Sequence, residues 1–163
     1  KTTPDQVPKS AKALLAERDA LQKELEKHSA KTLESHVRQL EKNAKALGPI
    51  KLVLTKGPMR KGMDPVEIAN RLKESDKKMV AVIVEVSDRV QIIAAAGEEA
   101  VNAGINAGEI VSGAAKAVGG GGGGRQFFAS GGGPLKEKAE EAMRIIEETI
   151  QRQLSAPTAK EVA

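Results

Sequence analysis

The chain has 163 residues, a net charge of +4 and 29% charged side chains. This length suffices for one domain of ordinary size and an appended segment. Cys, Trp and Tyr are absent, which excludes disulfides, Cys-based zinc sites and thiol nucleophiles. No segment approaches the roughly 20 apolar residues of a membrane span, so we expect no membrane partner. The chain begins at Lys1 without an initiator Met, and we expect it to be part of a longer protein.

The N-terminal third predicts a charged helix. Residues 1–8 contain two prolines and are predicted to be a disordered lead-in, whereas residues 9–47 contain neither Gly nor Pro. Leucines recur every seven residues at Leu33, Leu40 and Leu47, which is the seam of a helix that packs on another helix. The leucine repeat in the first half of this segment is out of phase with the repeat in the second half, and the change falls near residues 28–30. We favour one long helix over an antiparallel hairpin. Gly48 and Pro49 predict the end of this helical arm, residues 9–48.

The remainder predicts a globular unit at residues 49–154 and a frayed tail at 155–163. Asp64 and Pro65 resemble an N-cap and the first residue of a helix. The predicted elements are a strand at 50–55, a helix at 64–75, strands at 79–86 and 90–96, one or two helices in 98–118, and an amphipathic helix at 134–154. The predicted fold class is therefore α+β: a long helical, coiled-coil-like arm precedes a small β-α-β-β-α-α unit with a covering C-terminal helix.

A glycine-rich segment is the most informative part of the chain. Glycine lets a backbone approach a ligand closely, an arginine binds phosphate, and phenylalanine rings can stack on bases. For the two phenylalanines, packing in the core is the alternative and the more frequent role of such residues. We predict a ligand-contacting loop rather than a flexible linker. Neither a phosphate-binding P-loop nor a dinucleotide fingerprint fits, because the terminal Lys-Ser/Thr and the preceding strand are missing. The candidate residues are Gly119, Gly120, Gly121, Gly122, Gly123, Gly124, Arg125, Phe127 and Phe128.

A second candidate is a basic segment between Gly48 and Gly62, which contains four bases and no acid. Lys56, Arg60 and Lys61 are predicted to contact phosphate or sugar, and a solvated turn is the alternative. The two histidines, His28 and His36, lie on the charged helix without companion ligands. We therefore predict no catalytic residue, no metal site and no cofactor.

The order of these elements resembles the C-terminal region of alanyl-tRNA synthetases, including its DHH-associated module, from about Leu14 to Leu154. The carrying residues are Gly119–Gly124 with Arg125, and Ala129 with Gly131–Gly132. Many relatives have Pro-Asp after the arginine, where this chain has Gln126-Phe127. The ligase active site and the Cys and His residues of the family's editing zinc site are not in this chain.

The resemblance implies a tRNA-binding accessory domain that is not itself an enzyme. It would hold the outer corner of an alanine-accepting tRNA and help to couple aminoacylation with editing, both carried out by upstream domains, in the cytoplasm. Two alternatives stay open. One is an oligonucleotide-binding module of a DHH-type phosphoesterase, and the other is a dimerisation module that self-associates through the helical arm.

Overall fold

The structure is a computed structural model that describes residues 7–59 and 63–156, apart from the side chains of residues 7–11 and 25–29. The predicted lead-in and tail therefore lie largely outside the described residues. The chain divides into two compact units, Lys1–His36 and Val37–Ala163.

The first helix, α1, runs from Val7 to Lys42 without a break, so the antiparallel hairpin is not seen. It starts before the predicted residue 9. It also ends before Gly48, and this part of the prediction is wrong. Within the first unit, the leucine side chains of Leu14 and Leu21 are 65% and 55% exposed.

The residues that follow α1 form a β-hairpin instead of a helix end. Strand β1 (Lys45–Leu47) pairs antiparallel with β2 (Ile50–Gly57), and Gly48-Pro49 is the turn between them. Gly48 has φ +57°, a left-handed conformation that favours glycine. Leu47, the last leucine of the heptad pattern, packs against the core of the globular unit as part of β1 and not as part of a helix.

A six-stranded sheet with order β1-β2-β3-β4-β6-β5 organises the globular unit. Helix α2 (Pro65–Ser75) connects β2 to β3 (Met79–Val86), and these two strands are parallel. The side chain of Asp64 caps α2 by accepting a 2.8 Å hydrogen bond from the Val66 N–H, as predicted. Strand β4 (Val90–Ala96) returns antiparallel to β3.

The second half of the unit differs from the predicted β-α-β-β-α-α order. Helices α3 (Glu98–Asn102) and α4 (Ala107–Ala117) are followed by strands β5 (Gly121–Arg125) and β6 (Phe128–Gly133). A 3₁₀ turn at Lys136–Lys138 then leads into α5 (Ala139–Ser155). The glycine segment is thus a β-hairpin and not a loop. Glycine has a low propensity for β-strands. Backbone pairing of β6 with β4 holds the segment in the sheet despite this low propensity.

Helices cover the two faces of the sheet unequally. Helices α4 and α5 pack on one face, where Ile92 of β4 lies in the same cluster as Ile110 and Ile146. Helix α2 packs over β3 and β4 on the opposite face, where Ile93 is fully buried. Strands β5 and β6 lie beyond α2 at the sheet edge, and this places the glycine hairpin at the surface.

No helix in the described part of the chain combines the length and apolarity needed to cross a membrane.

Candidate functional site

The register of the glycine hairpin assigns its residues to two faces. Residues that pair directly across antiparallel strands share a face, and neighbours along a strand alternate. Gly122 pairs with Gly131 and therefore lies on the α4 face. Gly121 and Gly123 pair with Gly132 and Ser130, on the opposite face.

Close packing accounts for the glycines on the α4 face. A Cβ added at Gly122 would lie 2.5 Å from the Gly131 Cα and 3.0 Å from the Val111 Cγ1. At Gly124 it would lie 2.4 Å from the Phe128 carbonyl oxygen. Even a methyl group is excluded here, because interior atoms are already close-packed. The fold requires these glycines.

The opposite face carries glycines that the fold does not require. A Cβ added at Gly121 or Gly123 would meet nothing within 4 Å, and neither residue has a positive φ. Gly132 is different, since its Cβ would lie 2.0 Å from the Val90 carbonyl oxygen. We call Gly121, Gly123, Ser130 and Gly132 the open glycine face. Glycine inside a strand often marks a place where a ligand or another backbone approaches closely.

Arg125 and Phe128 lie at one end of the open glycine face. They pair with each other across the hairpin, and Phe128 also pairs with Ala95 of β4, so all three share that face. Arg125 is exposed and has no ion-pair partner among the described residues. Phe128 is half-buried. Structure therefore brings together three kinds of predicted site residue: glycine, arginine and phenylalanine.

The turn of the hairpin is held from both sides. The Ala107 N–H donates to the Gln126 carbonyl and the Ala96 N–H donates to the Phe127 carbonyl, both at 3.1 Å. Neither turn residue has a positive φ, which the usual two-residue hairpin turns require. These two hydrogen bonds stabilise the turn and leave Phe127 41% exposed. An exposed aromatic ring thus lies in the turn that follows Arg125.

The basic segment does not join the open glycine face in the part that is described. Lys56 forms an ion pair with Glu140 of α5, on the α4 face of the sheet. Three strands separate β2 from β5, a distance of roughly 19 Å at about 4.8 Å per strand. Arg60 and Lys61 lie outside the described residues.

Arg89 is a basic residue that the sequence analysis did not single out. It is exposed in the turn between β3 and β4, and it has no ion-pair partner in the described part of the chain. A cavity of about 270 Å³ is lined by Arg89, Gly120, Gly132, Gly133 and Pro134. No sequence signal marks this residue, because only the pairing of Val90 with Gly133 brings it to the glycine hairpin.

A groove of about 540 Å³ follows the outer edge of β5 beside α4. Its lining includes Lys116, Arg152 and Glu109 together with the backbone of Gly122–Gly124. The buried Gln153 accepts a 3.1 Å bond from the Asn106 N–H and donates to Glu109 at 3.0 Å. These bonds position the start of α4, whose Asn106 side chain accepts from the Gly108 N–H at 3.0 Å.

Lys51 and Asp76 form an ion pair with shifted pKa values, at a distance from the glycine hairpin. Hydrogen bonding to Lys51 at 2.7 Å lowers the pKa of Asp76, and the same bond raises the pKa of Lys51. Asp76 also accepts from the Lys78 N–H, so the pair ties the end of α2 to β2. Within the described residues, no group of three or more His, Asp or Glu side chains could hold a metal ion.

Comparison with known proteins identifies relatives of this unit. Residues 60–152 match the DHHA1 domain family. An alanine–tRNA ligase from Methanococcoides burtonii is 30% identical over 115 residues, which are 71% of this chain and 12% of that ligase. The chain thus spans about an eighth of that relative.

Three solved structures share the fold of this unit. The C-Ala domain of alanyl-tRNA synthetase from Aquifex aeolicus is 26% identical with a TM-score of 0.57, over 66% of this chain and 96% of that one. A DHH-domain member of the s1p family of ribosomal proteins shares the fold at 14% identity and a TM-score of 0.56, over 84% of this chain and 33% of that one. A pGpG-specific phosphodiesterase from Vibrio cholerae also shares it, at 11% identity and a TM-score of 0.50, over 77% and 41% of the two chains.

Proposed function

We propose that this chain, which belongs to the DHHA1 domain family, is a tRNA-binding accessory region of an alanine–tRNA ligase. It would hold the outer corner of the alanine-accepting tRNA and so help the upstream domains to couple aminoacylation with editing. The chain would work in the cytoplasm as part of the ligase. The match to the C-Ala domain supports the choice of parent protein.

The observation that carries the proposal is the open glycine face. Each glycine in a strand costs roughly 0.5–1 kcal/mol relative to alanine. At Gly121 and Gly123 no contact and no backbone angle offsets this cost. A ligand that must approach the backbone closely gives a reason for their presence.

The side chains around this face have the chemistry of nucleic-acid contact. The guanidinium of Arg125 presents several N–H donors to phosphate oxygens. Phe127 and Phe128 offer aromatic rings to an unstacked base. Because the glycine strands expose backbone instead of base-reading side chains, we propose recognition of tRNA shape and backbone with little base-sequence readout.

Binding of a tRNA-alanine transcript to variants of this chain tests the proposal. Arg125→Gln should weaken binding by about three- to tenfold, a typical loss for one exposed charge-assisted contact. It should also reduce the slope of log K against log salt by about 0.7–0.9, the contribution of one phosphate. The double substitution of Gly121 and Gly123 by Ala should weaken binding while the chain stays folded. An acceptor-stem duplex without the outer corner should bind more weakly than whole tRNA.

A matched control removes the same charge elsewhere. Arg144 is exposed on α5, on the other side of the sheet. Arg144→Gln should leave affinity and salt slope nearly unchanged. Equal losses of affinity for the two arginine variants would indicate non-specific electrostatic binding. If the glycine double variant binds as tightly as the unsubstituted chain, the open glycine face is not part of the binding site.

We further propose that the chain has no catalytic activity of its own. The fold shared with the phosphodiesterase keeps a DHH-type oligonucleotide-binding role as the second candidate. Short oligonucleotides incubated with the chain and Mn²⁺ should remain intact. Sustained turnover that is lost in Arg125→Gln would replace the ligase proposal with this candidate.

Self-association through the helical arm is proposed on a separate observation. Leu14 and Leu21, one heptad apart, are exposed on the first unit and line a shallow apolar depression with Glu17, Arg18 and Gln22. Such a stripe is typical of a helix that packs on a second helix. Sedimentation should show a concentration-dependent dimer that Leu14→Glu abolishes, and a monomer at all concentrations would contradict this role.

A further inference from the structure

We infer that Arg89 forms a second phosphate-binding position, at the opposite end of the open glycine face from Arg125. An RNA strand that touches both arginines would run along the β5–β6 hairpin. This inference rests on the proposed function and deepens it, because it assigns a new contact residue and a direction for the bound strand.

The cavity at Arg89 is the first step of the argument. Its walls are Gly120, Gly132, Gly133 and Pro134, and Arg89 supplies its one charged side chain. Added Cβ atoms at the three glycines would collide with neighbouring backbone, so the fold itself keeps these walls free of side chains. A phosphate group could therefore reach the guanidinium without displacing a side chain.

Strand register places the cavity relative to Arg125. Gly132 pairs with Gly121 at the start of β5, whereas Arg125 ends that strand. Four residue steps separate Gly121 from Arg125, or about 14 Å at ~3.4 Å per step. Arg89 precedes Gln91, the β4 residue opposite Gly132, by two further positions. The two arginines therefore lie roughly 20 Å apart along the strand direction, so they would contact different phosphates of one bound strand.

The charges near this path favour an anion. Arg89 and Arg125 are both exposed, and neither has an ion-pair partner among the residues described. Between them lie Gly121, Gly123 and Ser130, which carry no charge. The groove on the other side of β5 differs, since Glu109 lines it together with Lys116 and Arg152. The cavity at Arg89 has no carboxylate in its lining, and the nearest carboxylates by register and sequence are Glu85, opposite Gln91 on the same face, and Asp88 in the turn.

Binding of the tRNA-alanine transcript tests this position with Arg89→Gln, Arg125→Gln and the double variant. Each single change should weaken binding by about three- to tenfold and lower the salt slope by about 0.7–0.9, and the double variant should lose both contributions. Arg152→Gln, in the groove across β5, is the control and should have little effect. Thermal melts of all variants should match the unsubstituted chain, because none of these arginines has an ion pair in the described structure.

Phosphate ethylation interference distinguishes a contact from a general charge effect. Arg89→Gln should lose interference at one set of phosphates and Arg125→Gln at another, separate set. If Arg125→Gln and the glycine double variant weaken binding but Arg89→Gln does not, the inference is wrong and the proposed function stands. If neither arginine variant weakens binding, both are wrong. If Arg152→Gln loses as much affinity as Arg89→Gln, the inference is wrong and the bound strand lies in the groove on the other side of β5.

Discussion

Neighbouring glycines in β5 should respond oppositely to the same substitution. Gly122→Ala places a Cβ 2.5 Å from the Gly131 Cα and 3.0 Å from the Val111 Cγ1, so β6 or α4 must shift. Overpacking of this kind costs about 1–3 kcal/mol. Gly123→Ala places a Cβ in open space without a positive φ. Because alanine restricts the unfolded chain, this change should stabilise the fold by about 0.4–1 kcal/mol.

Urea denaturation of the two variants measures this difference. The midpoint of Gly122→Ala should fall below that of the unsubstituted chain, and the midpoint of Gly123→Ala should equal or exceed it. The expected gap in the free energy of unfolding is roughly 1.5–4 kcal/mol. Equal destabilisation by both would refute the assignment of Gly122 to a packed face and Gly123 to an open one.

Two further outcomes concern the scaffold of the unit. Gln153→Leu should cost about 1–3 kcal/mol in unfolding free energy, because the Asn106 N–H loses its buried acceptor; the exposed Gln151→Leu is the control, and equal effects would deny Gln153 this role. Asp76→Asn should lower stability at neutral pH by removing the ion pair with Lys51. The pKa of Asp76 is depressed in the fold, so the pair's contribution is present above the unfolded pKa and lost as pH falls through the folded pKa. The stability difference between the two proteins should therefore vanish on acidification, and a difference that persists in acid would contradict the electrostatic cause.

Elements with a strong local signal could be predicted from the sequence. The strands at 79–86 and 90–96 have the predicted bounds, because a run of apolar residues, a polar turn and a second apolar run determine a hairpin locally. Asp64 acts as the predicted N-cap of α2, since capping depends on residues within one turn. In these segments local preference and tertiary packing favour the same structure.

Elements determined by distant pairing could not be predicted in this way. A run of glycines has no alternation of apolar and polar residues and little strand propensity, so β5 leaves no pattern to detect. Its conformation depends on β6, and β6 in turn pairs with β4. Likewise, Leu47 continues the leucine repeat, but its pairing with Ile50 and its contact with the core end the helix early.

The candidate site shows the same division. Arg125 and Phe128 are close to the glycines in sequence, and their pairing across the hairpin places them on one face. The basic surroundings of Lys56 predict a phosphate contact, yet Glu140, 84 residues away, pairs with it. Arg89 carries no such signal, because a sequence does not reveal which distant glycines will lie beside a turn.

The alternation of residues between the two faces of a strand limits what can explain a consecutive run of glycines. Adjacent residues in a strand point to opposite faces, so one structural cause can account only for every second glycine. Packing against Val111 and β6 accounts for Gly122, and contact with Phe128 and Ala129 accounts for Gly124. The uninterrupted run therefore needs a second, independent cause acting on Gly121 and Gly123 from the other face. A related chain with alanine at those two positions alone should keep the fold and lose close approach by RNA, whereas one with alanine at Gly122 and Gly124 should lose the hairpin itself.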